Sequence, residues 1–230
     1  IYVQEDSMRP ADDARAKFFP DAITMGDYGN NCHGTFHEGP RFGGKHTGEF
    51  YNPVPPYQVP YGVLLPKTID NLLVPVAVSS THVGFCALRL EPIWMSLGQA
   101  AGFAATLAAK ENAPLPKVSI ASVQEKLIED KSALTYFSDL PLDSPDFAKV
   151  QKWALTGAYH GVEAWPKTMR GAKIHGQYNY AAPGHEAKLD EPLTQEIKER
   201  WLALAKSKGI DATKAATATT RRSFIAALEF

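Results

Sequence analysis

The most apolar part of the chain lies between Asp70 and Lys110 and falls into two blocks. The first, Leu72-Leu73-Val74-Pro75-Val76-Ala77-Val78, is short, rich in β-branched residues and flanked by polar ones, which predicts a buried strand. Pro75 counts against a central strand, because it donates no ladder hydrogen bond. The second block begins near Pro92, a residue suited to a first helical position, and runs to about Lys110. After Trp94 its only polar side chains before Lys110 are Ser96, Gln99 and Thr106, so it reads as a helix buried on nearly every face. Gly98 and Gly102 sit four apart in it. A mid-helix glycine costs about 1 kcal/mol against alanine, so the pair predicts an unusually close neighbour. Between the blocks lies an irregular polar turn, Ser79-Ser80-Thr81-His82, followed by Arg89.

Weaker periodicities flank this centre. Ile1-Tyr2-Val3 and the proline-bounded Tyr57-Gln58-Val59-Pro60-Tyr61 read as strands, the latter at a sheet edge. Ser122-x-x-Glu125 has the form of a capping box before a helix with Val123, Leu127 and Ile128 inward. Ser144-Pro145 starts a second helix carrying Phe147, Val150, Trp153 and Ala154 and ending near Gly157. Thr194 caps a third, with Ile197, Trp201, Leu204 and Ala205 inward, Lys206 and Lys208 in its last turn and Gly209 as its stop. Arg221–Phe230 forms a short final helix, while Tyr178 and Tyr180 alternate in strand fashion. Aromatic stripes of this spacing belong to cores far more often than to binding faces.

With 230 residues, 44% apolar and 21% charged, the chain can bury a core. A formal net charge of −1 makes no electrostatic case for nucleic acid or an anionic membrane. The Gly98-x-x-x-Gly102 spacing also occurs in membrane helices, but this segment is short, alanine-rich and interrupted by Gln99, so no membrane span is expected. Cys32 and Cys86 make no disulfide framework. They do not establish a cytoplasmic home either, so the compartment stays unknown, with an exported or periplasmic location left open. The chain shows no signal peptide and begins at Ile1, which leads us to expect a further segment before it.

Ser79-Ser80-Thr81-His82, Arg89, Glu91-Pro92 and Leu97-Gly98-Gln99-Ala100-Ala101-Gly102 resemble the closing segment of FAD-dependent oxidoreductases of the xanthan lyase-like kind. The arrangement of histidine and arginine is also similar to that of fumarate-reductase-like flavoproteins. Phe18-Phe19-Pro20-Asp21-Ala22-Ile23 and Gly26-Asp27-Tyr28 resemble the same family, so the likeness covers about Ile1 to Lys110. It implies an α/β fold: the C-terminal portion of a Rossmann-like FAD-binding domain with part of a substrate domain, followed by a small mainly α-helical C-terminal region. The expected divisions are residues 1–66 (substrate domain with a Gly/Pro-rich active-site loop), 67–112 (closing strand and helix) and 113–230 (helical region). Two positions depart from the family pattern. Val76 and Ala77 stand where the strand usually ends in glycine and arginine, which leaves backbone contacts only, and Asn31 replaces the aspartate that precedes the motif histidine, His33.

The resemblance implies FAD as cofactor, with Val76, Ala77, Ser80, Glu91, Pro92, Ile93, Trp94 and Gly98 beside the flavin and the helix start facing its pyrimidine edge. His82, Arg89 and His33 are the catalytic candidates. Histidine titrates near neutral pH and suits proton transfer, and arginine suits a substrate carboxylate or developing negative charge. The competing, structural reading of Arg89 is a salt bridge to Glu91 or another carboxylate. No G-x-G-x-x-G follows a strand anywhere in the sequence. Since the phosphates of FAD need such a turn, the expected partners are an N-terminal half carrying the phosphate site and a small-molecule substrate, possibilities that exclude neither a carboxylate nor a carbohydrate.

Gly26–Gly62 carries eight glycines and five prolines in 37 residues, too long for an ordinary connection and so a candidate functional loop. Cys32, His33, His37 and His46 fall in it and have metal-ligand side chains, but H-x3-H before a glycine loop is a loose pattern and no metal is assigned. The expected function is hydride transfer between flavin and a small organic substrate. The alternative is a non-redox carbohydrate-active or carbohydrate-binding protein, with Tyr and Trp residues of the C-terminal half stacking on sugars.

Overall fold

A computed structural model describes residues 13–36, 46–52, 54–164 and 184–230. The sequence-predicted strand at Ile1–Val3, His37 and the Tyr178/Tyr180 alternation lie outside the described residues. Glycine- and proline-rich sequence yields short strands: β1 (Ala22–Gly26), β2 (Asn30–Cys32), β3 (Thr35–Phe36), β4 (His46–Thr47), β5 (Phe50–Asn52) and β6 (Tyr57–Pro60). They form three two-stranded antiparallel sheets, β1 with β6, β2 with β5 and β3 with β4. The helices follow: α1 (His82–Leu88), α2 (Glu91–Glu111), α3 (Ile120–Glu129), α4 (Phe147–Ala154), α5 (Gln195–Lys208) and α6 (Arg221–Ala226). Mixed helix and small sheets agree with an α/β fold.

The β1–β6 pair is the buried centre. Tyr57, Gln58, Val59 and Pro60 are all buried, and Gly26 lies opposite Tyr57. A Cβ at Gly26 would stand 2.7 Å from the Tyr57 ring, so only glycine admits that close approach. Buried glutamines satisfy the surrounding backbone. Gln58 Oε1 accepts from the Phe19 amide, and its Nε2 donates to Leu134 O and Thr135 Oγ1. Gln151 Oε1 accepts from the Leu134 and Thr135 amides, and Gln124 Nε2 donates to Pro20 O and Ala22 O. Such groups are tolerated inside because their hydrogen bonds are made.

One apolar cluster runs from Ala16 through α2 and α3 to Leu228, continuous across residues 112 and 113. Its C-terminal part is aromatic: Trp153 meets Trp201 edge-on at 5.7 Å between centroids, and Phe224 contacts both rings. The sequence-predicted helices here stand. Phe147, Val150, Trp153 and Ala154 are buried on α4, Thr194 Oγ1 accepts from the Ile197 amide to cap α5, and Gly209 closes α5 in the left-handed region at φ +68°.

Several expectations are corrected. Leu72–Val78 is not a strand, and Leu72 and Val76 are exposed. The segment is tied down by isolated bonds, Val74 N to Leu64 O and Ser79 N to Val63 O, because Pro75 interrupts donation and no strand lies beside it among the described residues. The helix expected from Pro92 is present but starts at Glu91, and it is not buried all round: Ile93, Leu97, Ala100, Ala104 and Ala108 form one inward stripe while Met95 is 74% exposed. Among the described residues no close neighbour explains Gly98 and Gly102, since a Cβ on either meets nothing within 4 Å there. The turn expected between the two apolar blocks contains α1. The α3 cap is Ser119, not Ser122: the Ser119 side chain accepts from the Ser122 amide, one turn earlier than expected.

Candidate functional site

Helix α1 is short because Thr81 starts it and the loop to α2 follows at once. Thr81 Oγ1 accepts from the Gly84 amide, satisfying one of the unpaired first-turn donors. The helix is clamped to β2 at two points. Asn30, fully buried, donates from Nδ2 to Val83 O at 2.9 Å, and Arg89, the C-cap residue, donates from Nη2 to Asn31 O at 3.1 Å. The strand bearing Cys32 is thereby pressed against the helix face bearing His82 and Cys86.

The result is a three-residue cluster. Cys32 Sγ lies 3.6 Å from His82 Nε2, and the ligand-type atoms of Cys32, His82 and Cys86 all lie within 4.8 Å of one another. The cluster grades from a buried Cys86 through a half-buried Cys32 to an exposed His82. Burial pushes the Cys86 thiol above its ordinary value, the Cys32 thiol adds to this, and the Arg89 guanidinium pulls the other way.

The start of α2 offers less free backbone than its sequence suggests. Leu90 supplies no side-chain cap, Pro92 has no N–H, and the Ile93 and Trp94 amides donate to Leu90 O. The indole of Trp94 is different. Its Nε1 is buried and has no acceptor among the described residues, and its ring lies 6.5 Å from that of Phe85 on α1. A buried donor left unpaired costs about 1–3 kcal/mol, so this group suits a ligand acceptor.

The other site residues expected from sequence are spread along this ridge. Val76 and Ala77 are exposed and Ser80 half-buried, with its Oγ donating to Thr81 O. Glu91 and Pro92 are exposed, Ile93 is buried, and Gly98 is partly exposed on the open side of α2. Arg89 has no carboxylate partner among the described residues, so the salt bridge to Glu91 is not formed. His33 is exposed just past β2, and its carbonyl receives the Cys32 thiol at 3.7 Å. Among the described residues the grouping with metal-ligand side chains is Cys32 with His82 and Cys86; His37, weighed with Cys32, His33 and His46, lies outside them. Cys86, Asn30 and Asn31 were not singled out for it. Their signal was the H-x-x-x-C spacing of His82 and Cys86, legible only once α1 is known to be a helix.

A family model described as FAD dependent oxidoreductase matches residues 3–127. The chain belongs to that family, and FAD is the cofactor the family implies. No curated protein and no solved structure matches the chain. Among the described residues no helix is long and apolar enough to cross a membrane.

The residues present fit the flavin end of FAD. The unpaired indole N–H, the exposed small-residue side of α2 and the exposed Val76–Ala77 backbone give an acceptor-seeking donor beside an uncrowded surface.

Proposed function

We propose that this chain forms the flavin-facing side of a redox site that transfers a hydride between FAD and a small organic substrate, a carboxylate or a carbohydrate among the candidates. What supports this most directly is Arg89: a half-buried cation without a carboxylate partner among the described residues, held on one carbonyl, one helix away from an exposed histidine. In this reading residues 67–112 close a Rossmann-like FAD-binding domain, residues 1–66 contribute part of a substrate domain, and residues 113–230 brace them as a helical region. A partner segment of the same protein carries the Gly-rich phosphate turn that the sequence lacks.

When bound, FAD supplies the two-electron chemistry. The backbone at Val76 and Ala77, Ser80, the α2 start at Glu91, Pro92 and Ile93, the Trp94 indole and the open surface at Gly98 hold its flavin end. His82 moves the substrate proton: exposed at the first position of α1, it is reachable from solvent and from a bound molecule. Arg89 binds substrate carboxylate or stabilises negative charge developing beside it. His33, exposed just past β2, is the second histidine open to a substrate.

The non-redox carbohydrate reading has no support. Among the described aromatic residues of the C-terminal half that it would draw on, Trp153 and Trp201 are 0% exposed and Tyr159 is 2% exposed.

The test uses the FAD-loaded protein, produced together with the segment carrying its phosphate turn. His82→Ala should lower turnover on the order of 10²-fold or more, the range of a lost general acid or base, with FAD per chain unchanged. Equal loss of turnover and FAD content would show His82 to be structural.

A further inference from the structure

We propose that Cys32, His82 and Cys86 form a binding site for a thiophilic metal ion of the Zn(II) type, with three protein ligands and one position open. His82 and Cys86 are four residues apart on α1 and so share a face one turn apart. Cys32 comes from β2, and the two clamps that hold β2 on α1 fall on the two residues just before it: Asn30 to Val83 O, and Arg89 to Asn31 O. The three side chains are therefore brought together by the surrounding fold.

The spacing suits a tetrahedral ion. With Zn–S near 2.3 Å and Zn–N near 2.0–2.1 Å, the sulfur–nitrogen edge of a tetrahedron is about 3.6 Å. Cys32 Sγ and His82 Nε2 already stand 3.6 Å apart, and Cys86 completes a triangle with no ligand atom farther than 4.8 Å from another. Two thiolates and an imidazole are a soft donor set that favours zinc and copper(I) over magnesium or calcium. Two thiolates balance the charge of a divalent ion.

Three protein ligands with a free fourth position are the pattern of a reactive rather than a purely structural zinc. His82 is exposed, so an incoming ion and a fourth ligand can reach the site from solvent. The next step rests on the flavin reading. With the ion bound, a substrate hydroxyl in the open position would be acidified and give its proton to solvent, so the proton-moving role assigned to His82 above belongs to the metal-free protein.

The experiment uses the reduced, metal-free 230-residue chain, titrated with Co(II) under nitrogen without FAD, so its outcome is independent of the flavin reading. Saturation at one ion per chain is expected, with a near-ultraviolet thiolate-to-cobalt band and the strong visible bands of a tetrahedral centre, both abolished by Zn(II). Cys32→Ser and Cys86→Ser should each weaken the ultraviolet band, and His82→Ala should change the visible bands while sparing the ultraviolet one. A wild-type chain giving no thiolate band overturns the proposal without reference to any variant. So does a band that survives in the double serine variant.

Discussion

Replacing Gln58 with leucine tests whether the family-matched segment and the C-terminal helices are one cooperative unit. Gln58 is 5% exposed and bridges the two: it accepts from the Phe19 amide at 2.9 Å and donates to Leu134 O at 3.0 Å and Thr135 Oγ1 at 3.1 Å. Leucine keeps much of the volume but pairs with none of them. The Thr135 hydroxyl can turn to another acceptor, whereas the Phe19 N–H and Leu134 C=O cannot move away. At about 1–3 kcal/mol for each buried group left unpaired, and with some return from the added apolar surface, the net loss is about 3 kcal/mol. For a chain of this size that lowers Tm by roughly 6–12 °C. The assay is thermal unfolding followed by tryptophan fluorescence, because Trp153 and Trp201 lie in the buried aromatic group beyond the matched segment. A fluorescence midpoint that stays put, or a loss below about 1 kcal/mol, would refute the coupling, since a lone hydrogen bond is worth about that much.

The remaining predictions concern the ridge and one half-buried carboxylate, Glu163, with its two cationic partners. Gly102→Ala should stabilise the chain by about 1 kcal/mol, because the new Cβ meets nothing within 4 Å and alanine is the better helix former; destabilisation in urea unfolding would mean that another part of the chain presses on α2 there. Trp94→Phe removes an unpaired buried donor, so it should leave chain stability level or raise it by about 1 kcal/mol while weakening FAD retention in the loaded protein. Unchanged retention on gel filtration would show that the indole does not serve the cofactor. Burial raises the Glu163 carboxyl, but hydrogen bonds from Lys188 and Arg221 outweigh it and hold the group below its ordinary 4.5. A depressed carboxylate stabilises the fold above its unfolded value and loses that contribution as pH falls through the folded one. The stability advantage of wild type over Glu163→Gln should therefore be full near pH 7 and shrink below about pH 4.5; a difference independent of pH would show that the pair contributes through shape and not charge.

Local signals were enough for elements that carry their own instructions. Helices α4, α5 and α6 show helical apolar spacing together with nearby caps or stops such as Thr194 and Gly209, and both kinds of information lie within a few residues of where they act. The length of α2 was legible for the same reason. Family membership was also readable, since it rests on contiguous motifs from Phe18 to Gly102. What depends on distant partners was not. Leu72–Val78 has strand composition, but a strand exists only when a neighbour takes its hydrogen bonds, and here Leu64 and Val63 take two of them singly. The burial of α2 on one stripe, with Gly98 and Gly102 left open, follows from which surface the β1–β6 pair and α3 cover, a choice its near-uniform apolar sequence does not encode. Most of all, Cys32 and His82 stand 50 residues apart. Nothing in their spacing pairs them; they meet because a buried asparagine and a C-capping arginine fasten a three-residue strand to a two-turn helix.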